Sequence, residues 1–216
     1  MCTFAAMKRL CVLFLLFVAV LPVPARLMKD FFKEMPDSLL PVLTHANRLD
    51  LLDFALSKME SQVENVYGEK TRMTLLTDNC LKLEETDATT VEMLLLPQKN
   101  DTLILEVRTF KDPLNLSRMV IRNTAWSELK TADFVKMPVL ADFLVLPAGR
   151  QEGERLQALE KADVPMLSVL VGEKDCSLHF KMNCDGGFMD VREELKLFMK
   201  DEIVYRWNGL RFEPSL

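Results

Sequence analysis

The sequence predicts an α+β protein of two lobes, each an antiparallel β-meander or hairpin sheet with helices packed on one face. Three observations carry that reading. Between Thr71 and Leu129 apolar and polar residues alternate over four successive segments. Leu81 and Leu83 alternate with Lys82 and Glu84, and Val91, Met93 and Leu95 share one face of the next run. Leu103, Leu105 and Val107 face away from Glu106 and Arg108, and Met119 and Ile121 flank Val120, with Arg122 beyond. Period two marks half-buried strands. The connections Thr86 to Thr89, Gln98 to Asp101 and Lys111 to Ser117 are too short for parallel crossovers, so the strands form an antiparallel meander. Helical spacing precedes this run, and an Asn-Gly hairpin signal closes the chain.

The elements follow in order. Residues 1–25 read as a secretory signal peptide: Lys8 and Arg9, an apolar run from Leu10 to Leu21, and a small-residue cleavage site ending at Ala25. The run falls short of the ~20 apolar residues that span a bilayer. Cys2 and Cys11 lie before or at its start, where they do not make a lipoprotein signal. Translation from Met7 would give the more typical signal, Met-Lys-Arg. The exported chain, 26–216, is then soluble and periplasmic or extracellular.

Leu27 to Glu34 has helical spacing, Pro36 suits a first helical turn, and Ser38 to Thr44 continues as a short apolar helix. Asn47 is expected to cap a helix from Arg48 to about Met59, with Leu49, Leu52, Phe54 and Leu56 as its buried stripe. After Trp126 the composition changes. Lys130 to Pro138 reads as a polar linker, and Val139 to Leu146 as a short apolar segment closed by Pro147. Arg155 to Lys161 reads as an amphipathic helix, Met166 to Val171 and Ser177 to Met182 as paired strands, and Val191 to Lys200 as a helix. The division is a signal peptide at 1–25, a helix–helix–meander lobe at 26–129, a linker at 130–150 and a second α+β lobe at 151–216.

At the end, Asn208-Gly209 predicts a two-residue type I′ turn. Such a turn pairs Trp207 with Leu210, Arg206 with Arg211 and Tyr205 with Phe212, so Tyr205, Trp207, Leu210 and Phe212 share a face. Arg206 and Arg211 then stand directly opposite each other, as a solvated face, as a small anion site, or bridged by Glu202 or Glu213.

A resemblance covers essentially the whole of 26–216. Met35-Pro36-Asp37-Ser38-Leu39-Leu40-Pro41, followed by Asn47-Arg48-Leu49-Asp50-Leu51-Leu52-Asp53-Phe54, resembles the opening of a family of small exported proteins of unknown function. That family, a Bacteroidales-type domain, comes from Gram-negative gut and oral anaerobes. The match continues through Met73-Thr74-Leu75-Leu76-Thr77-Asp78 and Trp126 to Tyr205-Arg206-Trp207-Asn208-Gly209-Leu210-Arg211-Phe212. The resemblance implies an exported protein of a Gram-negative cell and supplies no activity, substrate or catalytic residue.

The chemistry of the residues narrows the classes. The chain carries 27 basic against 32 acidic residues, and loss of Lys8 and Arg9 makes the exported form more acidic still. No basic cluster is interleaved with aromatics, which argues against nucleic acid and anionic membranes as partners. There is no Gly-x-Ser-x-Gly, His-Glu-x-x-His, phosphate loop or Cys-x-x-Cys, and His45 and His179 lie in different lobes. No metal or cofactor is expected. Cys176 and Cys184 flank Ser177 to Met182 and form a possible disulfide that requires a bend near Lys181 to Asn183; Cys80 is left over as a small buried residue. The expected function is a noncatalytic binding or interaction module of the cell envelope, its partner an envelope protein or polymer. Arg206, Arg211, Phe110 and Trp126 are the candidate binding residues. The alternative is a hydrolase of an envelope or extracellular polymer, using carboxylates from the interlobe cleft.

Overall fold

The computed structural model describes residues 26–99, 101–111, 115–160, 166–183 and 195–215. The predicted signal peptide lies outside them, as do Cys184 and the first four residues of the helix expected over Val191 to Lys200.

Seven strands form a meander in chain order: β1 (Gln62–Glu64), β2 (Lys70–Leu76), β3 (Cys80–Thr86), β4 (Thr89–Pro97), β5 (Thr102–Phe110), β6 (Leu116–Arg122) and β7 (Glu128–Leu129). A second sheet holds β8 (Met166–Val171), β9 (Ser177–Asn183), β10 (Ile203–Trp207) and β11 (Phe212–Pro214), in the order β11-β10-β9-β8. Every pairing is antiparallel. The fold is therefore α+β, as the alternation predicts, and its two sheets fit a two-lobe arrangement. β1 was not foreseen, because three residues with a single apolar member are too few to show a period. Among the described residues no helix is long and apolar enough to cross a membrane.

Helices α1 (Met28–Glu34) and α2 (His45–Leu56) cover one face of the large sheet. Met28, Phe31, Phe32, Leu51 and Leu52 pack there against Leu81, Leu83, Val91, Met93 and Leu95. Helix α2 begins three residues before the predicted start. Thr44, not Asn47, caps it: its hydroxyl accepts the Asn47 N–H, and the Asn47 side chain accepts the Thr44 N–H, both at 3.1 Å. That reciprocal box satisfies two otherwise unpaired donors. The buried stripe also differs. Arg48, Leu51 and Leu52 point inward while Leu56 is exposed. Arg48 is drawn in because its guanidinium ties down the preceding loop, through Met35 O (2.8 Å), Leu43 O (3.4 Å) and Asp37 (2.7 Å).

The other face of the large sheet carries the second surprise. Leu94 and Leu96 on β4, Leu103, Leu105 and Val107 on β5, and Ile121 on β6 form one core with Val169, Val171, Leu178, Phe180, Tyr205 and Phe212 of the small sheet. β4 and β5 are thus buried on both faces, not one. The edge strand β8 is docked by side chains of the large sheet. The Val169 N–H donates to Ser117 Oγ (2.9 Å) and the Val171 N–H to Glu92 Oε2 (3.4 Å). Glu92 is neutralised by Lys82 at 2.8 Å.

Of the remaining helices, α3 (Leu140–Phe143) falls in the predicted apolar segment and α4 (Glu152–Glu160) in the predicted amphipathic one. Ala158 of α4 packs with Leu195 and Phe198.

Candidate functional site

The hairpin β10–β11 and the segment 132–142 enclose a cavity of about 560 Å³. Its shape follows from one local choice. Asn208 Oδ1 accepts the N–H groups of both Leu210 and Arg211 at 2.9 Å, and the Asn208 N–H donates to Arg211 O at 3.1 Å. Gly209 supplies the required positive φ of 93°. The loop therefore spans Asn208 to Arg211 rather than two residues. The predicted pairing is overturned: Trp207 faces Phe212, Arg206 faces Glu213 and Tyr205 faces Pro214. The slip is two residues, an even number, so the faces survive. Leu210 leaves the shared face and is 73 % exposed. Arg206 and Arg211 are not opposed. Arg211 sits on the loop and bonds Glu213 at 2.9 Å, and Arg206 reaches Asp175 at 3.5 Å.

Aromatic packing fixes the hairpin beneath that loop. Tyr205 meets Phe180 edge-on at 5.0 Å between centroids, and Trp207 meets Phe212 at 5.1 Å. The Trp207 indole N–H donates to Pro97 O (2.7 Å), which joins the hairpin to the end of β4, and the Phe212 N–H donates to Phe134 O (2.7 Å). Tyr205, Phe212, Phe134 and Val135 make the apolar wall of the cavity, and Asp133, Lys136, Asp142, Arg211 and Glu213 contribute its charges. Burial, and secondarily the charge of Asp142, pushes the Tyr205 hydroxyl above its usual pKa. Hydrogen bonds from Arg211 and then Asn208 hold Glu213 below the usual carboxylate value. The Asp142 carboxylate accepts the Val139 N–H at 2.8 Å, while Lys136 is exposed and forms no ion pair among the described residues.

On the outward face of the small sheet lies a constellation that sequence reasoning missed. Ser177 Oγ is 3.0 Å from His179 Nε2, and His179 Nδ1 is 3.2 Å from Glu202 Oε2. The spacing is that of a Ser–His–carboxylate relay, but two observations rule out that role. Ser177 is completely buried, so no substrate reaches its oxygen. Its hydroxyl donates to Asp175 at 2.5 Å, so its proton is not aimed at the imidazole. That hydrogen bond lowers the Asp175 pKa, outweighing the opposing effect of burial, and the Arg206 charge adds a lesser push in the same downward direction. Gly172 makes room for the arrangement, since a Cβ there would lie 2.0 Å from Ser177 Oγ. No sequence signal marks the cluster, because its members come from a turn, a strand and a loop brought together by the β9–β10 pairing.

The other two candidates lie on the large sheet. Phe110 ends β5 and is 42 % exposed, paired across the strands with exposed Leu116. Trp126 lies past the opposite end of β6, roughly 20 Å or more away at ~3.4 Å per residue. It is half-buried, at φ 66°, with its ring on the helix-side core. The two do not form one surface. Cys80 is buried, and its thiol is pushed up to about 12, chiefly by burial. Cys176 carries a free thiol, and its proposed partner Cys184 lies outside the described residues.

The comparisons with known proteins give a family and a solved structure of similar fold, and name no chemistry. No curated protein matches the chain. A solved domain of an uncharacterized protein from Porphyromonas gingivalis W83 is similar at a TM-score of 0.74 and 23 % identity, covering 88 % of this chain and 98 % of that one. The family described as "Protein of unknown function (DUF3256)" matches residues 20–212. The chain belongs to that family.

Proposed function

We propose that this protein is an exported, noncatalytic binding module of the cell envelope, and that the cavity beside the terminal hairpin receives part of an envelope protein or polymer. The observation that carries the reading is the state of the acids there. A hydrolytic general acid needs a raised pKa to hold its proton near neutrality. Glu213 is shifted the opposite way, by its hydrogen bonds from Arg211 and Asn208. Asp142 is committed to a backbone N–H, and Lys136 is left as a charge free to meet a ligand. Apolar walls with a few polar groups are the usual make-up of a binding pocket. Export rests on Lys8, Arg9, the apolar run to Leu21 and Ala25.

A cross-linking pull-down with residues 26–216 against periplasmic and outer-membrane fractions tests the reading. One saturable partner, weakened by Lys136→Glu, is expected. An empty result with proteins and with glycans would sink it and return attention to an activity screen.

A further inference from the structure

We propose that the open edge of β6 takes an extended, acidic segment of a partner protein as an added strand. This surface is separate from the hairpin cavity. β6 has β5 on one side along its whole length, from Leu116 to Arg122. On the other side β7 pairs only Ile121 and Arg122, so among the described residues Leu116 to Val120 has no strand neighbour there. The direction of the free groups follows from the turn. The Asn123 N–H donates to Ser127 O, so residues of that parity point away from β5. Ser117 and Met119 share it. The 2.7 Å contact between Ser117 Oγ and Thr109 Oγ fits a pair that does not exchange main-chain hydrogen bonds. The outward N–H and C=O groups of Ser117 and Met119 thus form a short unpaired edge, the geometry used in strand addition.

A second, independent observation says what should add there. Of the ten arginines among the described residues, nine lie within 4.0 Å of a carboxylate: Arg26, Arg48, Arg72, Arg108, Arg122, Arg150, Arg155, Arg206 and Arg211. Arg118 is the tenth. It is exposed, stands opposite Arg108, and makes no hydrogen bond or ion pair. Arg108 is already bound to Glu85 through both carboxylate oxygens, at 2.7 and 2.6 Å, and so cannot share a partner's charge. An unpaired cation in a chain with an acidic excess selects an acidic neighbour. Leu116 lies two residues before Arg118 on the same face and stands opposite Phe110, and both apolar side chains are exposed. A complementary strand therefore places a carboxylate opposite Arg118 and an apolar side chain opposite Leu116, two residues apart.

The test is an amide-shift titration of the purified chain with an eight-residue peptide of alternating threonine and valine, carrying one glutamate two positions from a leucine. Saturable shifts confined to Leu116 through Val120 are expected, with affinity reduced at least tenfold in Arg118→Glu. Exchanging the peptide's glutamate for lysine should restore binding to that variant. N-methylation of the peptide's bonded amides should abolish it. The proposal is overturned if the Ser117 and Met119 amides do not shift at millimolar peptide, or if binding survives N-methylation. It is equally overturned if sedimentation shows that a second copy of the chain already occupies the edge.

Discussion

The two halves of the large sheet obey different rules. In β1 to β3, Thr71, Met73, Leu81 and Leu83 face the helices, while Arg72, Thr74 and Glu84 on the reverse face meet solvent. In β4 and β5 both faces are covered, and charged residues that the alternation assigns to water, Glu92 and Glu106 among them, are buried. They persist because each has a cation. Lys82 serves Glu92 at 2.8 Å, and Arg122 serves Glu106 at 3.0 Å. A polar residue in the alternation thus reports what the strand tolerates, and whether it meets water depends on the layer over its face: the small sheet for Glu92, the helix side for Glu106, which shares its face with Ile104.

That contrast can be broken by substitution. Leu94→Ala, in the doubly covered half, should cost about 3–4 kcal/mol in urea unfolding, whereas Thr74→Ala in the wet half should stay within about 0.5 kcal/mol. Equal costs would mean that the second sheet adds no packing. Removing a buried cation is the next largest effect. Arg122→Ala should destabilise by about 2 kcal/mol because it leaves buried Glu106 only the longer Arg108 contact at 3.6 Å, while Arg72→Ala, which opens a half-exposed pair with Glu84, should cost less than about 1 kcal/mol.

Smaller effects sharpen the same distinction on the outer ledge. The Asp175 pKa is depressed in the folded state, so its contribution is present above the unfolded value of 3.8 and is lost as pH falls through the folded one. Asp175→Asn should therefore lower stability slightly at neutral pH, match the parent once both are below the folded pKa, and so flatten the acid limb of the profile below about pH 4. A profile that keeps its slope would mean that Ser177 and Arg206 do not hold this carboxylate. Smallest of all, Arg206→Ala should leave folding intact, as circular dichroism can check, because Arg206 is largely exposed and its ion pair is long.

The same division explains what the sequence disclosed. The strands from β3 to β6 and their order were legible, because alternation and short connections are local facts. The terminal hairpin was legible in its faces but not its register. Asn208 used its side chain to hold two N–H groups, a choice that the Asn-Gly pair does not announce. Thr44 displaced Asn47 as a cap for a similar reason, since both can bond backbone and only the fold decides between them. The Ser177, His179, Glu202 and Asp175 cluster was invisible, as was the cavity, because both depend on which distant segments meet. Arg211 was named for its charge and does line the cavity, but through a loop position that a two-residue turn would not have given it.

The docking of β8 has a consequence for how this protein fails. Met-Leu-Ser-Val-Leu-Val, Met166 to Val171, carries no charge and no proline, the composition of a segment prone to stack into fibrils. In the native state the N–H groups of Val169 and Val171 are occupied by Ser117 and Glu92. Once the sheets part, that strand becomes a sticky template for its own copies. Partial separation of the layers therefore leads toward aggregation before the chain is fully unfolded, and Glu92 acts as a guard on solubility as much as a contributor to stability.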